Sequence, residues 1–130
     1  MPLSPLAATW CIPCVEELPN FEKITQKYSN DKVKVILVSL DFGKDAKTRL
    51  LPFIARKKIK SDVIMIREPD ADIWISKVDE GWSGALPATV IYKGKKRAFF
   101  ERSFTYEELE KEINNFKKPI IEEFNYTFED

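Results

Sequence analysis

Cys11 and Cys14 are the two cysteines of this 130-residue chain, three positions apart in the run Thr9-Trp10-Cys11-Ile12-Pro13-Cys14. Two thiols at this spacing can contribute to a metal site, close a small disulfide or carry electrons as a dithiol/disulfide pair. A structural zinc site normally takes four Cys or His ligands. The chain has two cysteines and no histidine, so a zinc held within one chain is short of ligands, and no metal site is expected. A purely structural bridge over so short a loop would restrain little chain entropy. The redox reading carries no such objection.

Its chemistry depends on where the pair sits. From Pro13 to Ser29 the apolar residues Val15, Leu18, Phe21, Ile24 and Tyr28 recur every three or four positions, which is helical spacing. The pair therefore opens a helix. Unpaired backbone N–H groups and the positive end of the helix dipole favour a thiolate there over a thiol. Cys11 is expected just outside the helix and open to solvent, with Cys14 one turn in and less exposed. Pro13 suits the first turn, where a missing N–H costs nothing. Pro19 is expected to bend the helix or interrupt its ladder.

The rest of the chain supplies a frame. Residues 32–40 read as a buried strand rich in β-branched residues. Residues 44–59 read as a helix disturbed by Pro52, 62–67 as a short strand, and Asp70 as the cap of a short helix through Val78. Residues 88–93 and 97–102 form a hairpin around Lys93-Gly94-Lys95-Lys96. Thr105 and Glu108 make a capping box for a last helix carrying Tyr106, Leu109, Ile113 and Phe116, which Pro119 ends. Strand-helix-strand alternation followed by a hairpin gives an α/β fold with a mixed sheet and helices on both faces. No convincing strand precedes the cysteines, because Pro2 and Pro5 interrupt the one candidate. The first strand is expected to be doubtful or missing, leaving apolar surface uncovered. The C-terminal tail, 118–130, offers Phe124, Tyr126 and Phe128 at a strand-like period, and Asn125-Tyr126-Thr127 fits a glycosylation triplet that is common by chance.

Composition narrows the function. The length suits a single domain over 1–130, with its core at about 8–117. Twenty-one basic residues balance 21 acidic ones, so no overall charge excess points to nucleic acid or a membrane surface. No apolar run reaches the ~18 residues of a membrane span. The first residues lack the charged and apolar regions of a signal peptide.

The stretch ATWCIPCVEELPNFEKI, 8–24, resembles the active site of the thioredoxin superfamily. It is especially similar to bacterial extracytoplasmic thiol–disulfide reductases of the TlpA type. GALPATVIY, 84–92, resembles the family segment in which a cis-proline precedes a strand and faces the redox pair. SLD, 39–41, and DADIWISKVD, 70–79, are also similar to that group. The resemblance implies a thioredoxin-like three-layer sandwich and a protein disulfide oxidoreductase of the bacterial periplasm or cell envelope. Its partners would be disulfide-bearing proteins and a thiol electron donor. It needs no cofactor beyond the Cys11–Cys14 redox pair. Pro87 would take the cis-proline place and aim the backbone of Leu86 at Cys11, offering an extended substrate an N–H and a C=O. Trp10, Ile12, Pro13 and Leu86 would line the substrate face, with Trp82 either joining them or packing inside. Cys11 and Cys14 would be the catalytic pair. Glu17, in the C-x-P-C-x-x-E place, would tune or relay protons for the thiols; otherwise it is an exposed acid stabilising the helix start.

One departure is upstream, where Pro5-Leu6-Ala7-Ala8 stands in place of a Phe-Trp-Ala-type strand. Pro5 also occupies the place of thioredoxin's buried acid. A truncated or rearranged version of a longer precursor is the expectation. A non-catalytic peptide-binding module would use the same groove without turnover. A thiol peroxidase is a third reading, since Pro5 and Thr9 have its spacing, but Cys11 arrives one residue early.

Overall fold

A computed structural model describes residues 1–66 and 70–117, apart from the side chain of Asp72. The tail residues 118–130, Pro119 included, and the end of the strand read at 62–67 lie outside the described residues. In chain order the elements are β1 (Pro2–Ala7), α1 (Ile12–Lys27), β2 (Lys34–Ser39), α2 (Ala46–Arg56), β3 (Asp62–Met65), α3 (Ala71–Val78), β4 (Ala88–Lys93), β5 (Lys96–Phe100) and α4 (Tyr106–Lys117). The sheet runs β3-β2-β1-β4-β5. Its first three strands are parallel; β4 runs antiparallel to them, and β5, antiparallel to β4, returns to their direction.

The expectation of a missing first strand is overturned. Pro2–Ala7 forms β1, the central strand, with β2 on one side and β4 on the other. The physical reason lies in where the prolines direct their missing donors. The carbonyls of Met1 and Ala7 accept from Lys34 and Leu40. Strand alternation therefore turns the odd-numbered backbone groups toward β2. Pro5 thus lacks a donor on the β2 side alone. There the paired positions are Pro2, Leu3, Leu6 and Ala7, and the ladder passes over Ser4 and Pro5. On the β4 side Leu3 to Leu6 pair without a break. The ammonium of Met1 also donates to the Lys32 carbonyl at 2.8 Å, which ties down the start of the strand.

Right-handed crossovers place α1 and α2 on one face of the sheet. There Leu3, Val35 and Ile91 meet Phe21 and Ile24 of α1 and Leu109 and Ile113 of α4. Burying an aliphatic or aromatic side chain of this size contributes ~1.5–3 kcal/mol, so this face anchors α1 firmly. On the other face Leu6, Ala88 and Val90 pack against Trp74 of α3 and Trp82. The architecture is a three-layer α/β sandwich.

Helix α1 continues through Pro19 and α2 through Pro52. Each proline removes one donor, to Val15 and Thr48 respectively, without ending the helix. Gly94, at φ 59°, begins the two-residue turn between the paired Lys93 and Lys96, as its freedom from a Cβ allows. The capping box closes as expected: Thr105 N–H donates to Glu108 at 2.9 Å, and Glu108 N–H donates to the Thr105 hydroxyl at 3.2 Å.

Candidate redox site

Cys11 is the residue before α1, with extended backbone at φ −91° and ψ 102°. Its N–H donates to the Ala8 carbonyl, and its own carbonyl accepts from Val15. The chain thus turns tightly out of β1 and straight into the helix. Cys14 follows one turn on, and the two sulfurs are joined in a disulfide with a Cα–Cα distance of 5.3 Å. Pro13 occupies the first turn, as expected.

Cys14 is fully buried, and Cys11 is 6% exposed. The order of exposure agrees with the sequence reading, but Cys11 is far less open than expected. It packs in an apolar cluster with Ala7, Ala8, Leu18 and Leu37. Its neighbours in sequence project outward instead: Trp10 is 67% and Ile12 71% exposed. Leu86 packs against the cluster that holds both cysteines. The Leu86–Pro87 peptide bond is cis, and Pro87 is buried at the start of β4.

Trp82 lies in the interior. It is 4% exposed, donates Nε1–H to the Ala85 carbonyl at 2.8 Å, and belongs to a row of rings with Phe42, Trp74 and Phe99.

Glu17 is not the exposed helix-end acid of the alternative expectation. It is 3% exposed. It lies one turn after Cys14 on the inward side of α1, among Cys14, Leu18 and Phe21. One carboxylate oxygen, Oε2, accepts the Phe104 N–H at 2.8 Å. The other, Oε1, meets no hydrogen-bond partner among the described residues. Burial raises its pKa from 4.5 to about 7, opposed by the Phe104 hydrogen bond and by the charge of Arg102. The carboxyl therefore exchanges its proton near neutrality. Asn20 donates to the Phe104 carbonyl at 2.9 Å, so α1 grips both sides of that residue.

Asp41 belongs to the site as well, and the sequence reading gave it no role. It is 1% exposed. Its carboxylate accepts from the Thr9 N–H, from the Thr9 hydroxyl at 2.6 Å and from the Ser39 hydroxyl at 2.7 Å. It pins the turn that carries Trp10 and Cys11 to the end of β2. The signal was an acid directly after a buried strand, but its partner Thr9 lies 32 positions away in sequence. The same bond occupies the Thr9 hydroxyl, and Pro5 is buried inside β1. Among the described residues no group of three or more His, Cys, Asp or Glu could hold a metal, and no helix is long and apolar enough to cross a membrane.

No family model matches the chain, and no curated protein matches it. Solved structures do. A thioredoxin-related protein from Neisseria meningitidis serogroup B superposes with a TM-score of 0.75 at 20% identity, over 88% of this chain and 82% of that one. StoA from Bacillus subtilis gives 0.68 at 19% identity, over 85% and 79%. A secreted Mycobacterium tuberculosis disulfide oxidoreductase, homologous to E. coli DsbE, gives 0.66 at 17% identity, over 88% and 80%. The fold is thioredoxin-like, as the resemblance implied.

Proposed function

We propose that this chain is a thiol–disulfide oxidoreductase that reduces protein disulfides, forming a single domain over 1–130 with its core at about 8–117. The observation that carries the reading is the Cys11–Cys14 disulfide closing at the start of α1, one turn before the buried Glu17. In the reduced protein, Cys11 attacks as thiolate, favoured by the helix N-terminus. One substrate sulfur bonds to Cys11, the substrate S–S bond breaks, and the other substrate sulfur leaves as thiolate. Cys14, as thiolate, then attacks the Cys11 sulfur. The mixed disulfide breaks, the second substrate thiolate leaves, and the Cys11–Cys14 disulfide re-forms. Two electrons have passed to the substrate, and a thiol donor returns them to the pair for the next turnover.

Glu17 holds or releases a proton as the thiols lose and regain theirs. Trp10, Ile12 and Pro13 offer the exposed rim, and Leu86 and Pro87 the backbone edge for an extended substrate segment. We place the protein in the bacterial cell envelope, a TlpA-type reductase by the likeness of its active-site segment; the secreted neighbour supports that placement. The test is trapping. A Cys14→Ser variant should accumulate mixed disulfides at Cys11 with a protein substrate, whereas Cys11→Ser should accumulate none. Faster alkylation of Cys14 than of Cys11 in the reduced protein at neutral pH would overturn the assignment. Failure of the reduced protein to cleave insulin disulfides would favour a binding module. That alternative has lost its main support, since β1 is present.

A further inference from the structure

The chain is electrically neutral as a whole, but residues 44–60 hold seven Lys and Arg against the single acid Asp45. All seven cations are exposed. This segment is α2 with its flanks, and α2 lies beside the start of α1. Between the two helices runs an open groove of about 590 Å³. Thr9 and Ile12, which bracket Trp10 and Cys11, line one end of it. Val15, Pro52 and Phe53 form an apolar floor, and Arg49, Arg56 and Lys57 form the far wall, with Glu16 as the acid that lines it. Arg49 donates to the Phe42 carbonyl at 3.0 Å, and Arg56 lies over the Phe53 ring at 5.8 Å. Neither spends its charge on a carboxylate within 4 Å among the described residues.

We infer that this groove binds an acidic stretch of the substrate protein beside the disulfide to be reduced. The inference rests on the oxidoreductase reading above. Three features support it. A cationic wall whose Arg49 and Arg56 form no ion pair among the described residues complements carboxylates. The apolar floor accepts the stems of the same segment. The groove reaches the redox pair at Ile12, so a strand seated there brings its neighbouring cysteine toward Cys11. Clefts lined by one sign of charge also speed encounter with the opposite charge, by roughly 10- to 1,000-fold.

The test uses the reduced protein and three synthetic peptides, each with one disulfide flanked by three aspartates, three serines or three lysines. In single-turnover reduction at low salt, the aspartate peptide should react about tenfold faster than the lysine peptide, a gap that high salt closes. The R56E/K57E variant should invert that order, and R56Q/K57Q should flatten it. The serine peptide should react at the same rate in all three proteins, within about twofold, a change too small for a lost charge contact. No charge preference in the wild type, or an unchanged order in R56E/K57E, overturns the proposal. Should none of the peptides be reduced, the oxidoreductase reading fails, and the groove is then judged by binding alone. Binding of an S-methylated aspartate peptide is followed by the fluorescence of the exposed Trp10. Its loss in R56E/K57E supports the groove, and its persistence overturns it. Vesicles of phosphatidylserine separate the remaining class of partner: binding to them through Arg56 and Lys57, without discrimination among peptides, overturns a peptide occupant.

Discussion

Replacing Glu17 by glutamine keeps the outline of the side chain and removes its titration. In an unfolded chain the carboxyl titrates near 4.5, and in the fold at about 7. Between those values the folded protein holds a proton that the unfolded chain has released. Stability therefore falls as pH rises through the window from 4.5 to about 7. At about 1.4 kcal/mol for each tenfold change in proton affinity, the loss is about 3 kcal/mol. At 3% exposure the carboxyl is shielded from solvent screening. The Glu17→Gln amide oxygen can still accept the Phe104 N–H. The variant should match wild type near pH 4 and exceed it by about 3 kcal/mol near pH 8, roughly 10 °C in melting temperature for a domain of this size. The assay is urea unfolding of the oxidised protein across that range, with the disulfide intact. In the reduced protein the same change should move the pH dependence of Cys11 alkylation. Stability curves that stay parallel from acid to alkaline pH would refute the reasoning, because the buried carboxyl would then titrate as in the unfolded chain.

Asp41→Ala strands the Thr9 N–H, the Thr9 hydroxyl and the Ser39 hydroxyl; it should cost about 3 kcal/mol in urea unfolding and speed reduction of the disulfide by a small thiol. Thr105→Ala breaks one half of the α4 capping box and should cost ~1 kcal/mol, with Thr105→Ser restoring it. Gly84→Ala places a Cβ 2.8 Å from the Ile75 Cδ1 at a φ of +91°; a loss of about 1–3 kcal/mol in denaturant titration is expected.

Local chemistry in this chain was legible and long-range partnership was not. The Cys-x-Pro-Cys spacing, the hairpin turn and the Thr105–Glu108 box each lie within a few residues, so their geometry follows from sequence. The central strand was missed because proline was weighed as a property of the whole strand. What matters is which neighbour the missing donor faces, and at Pro5 that is β2 alone. The burial of Glu17 had a sign in the sequence: it stands three residues after Cys14 and four before Phe21, on the helix stripe that packs inward. What no stripe could show is that its carboxylate meets the backbone of Phe104, 87 positions away. Asp41 is a similar case, since only the closed sheet brings it to Thr9.

The position of β1 also sets an order of assembly. Its partners arrive at very different times during synthesis: β2 follows closely, whereas β4 begins only at Ala88. A chain emerging from the ribosome at ~5–20 residues per second thus keeps one side of its central strand open for several seconds after the other side has paired. Cys11 and Cys14 need no such wait, being separated by a single turn. Their sulfurs can join and part without waiting for Leu86 and Pro87 to pack. The cysteine pair is thus complete well ahead of the surface proposed to choose its substrates, and β1 waits for the hairpin and then for α4, whose Leu109 and Ile113 pack with Leu3.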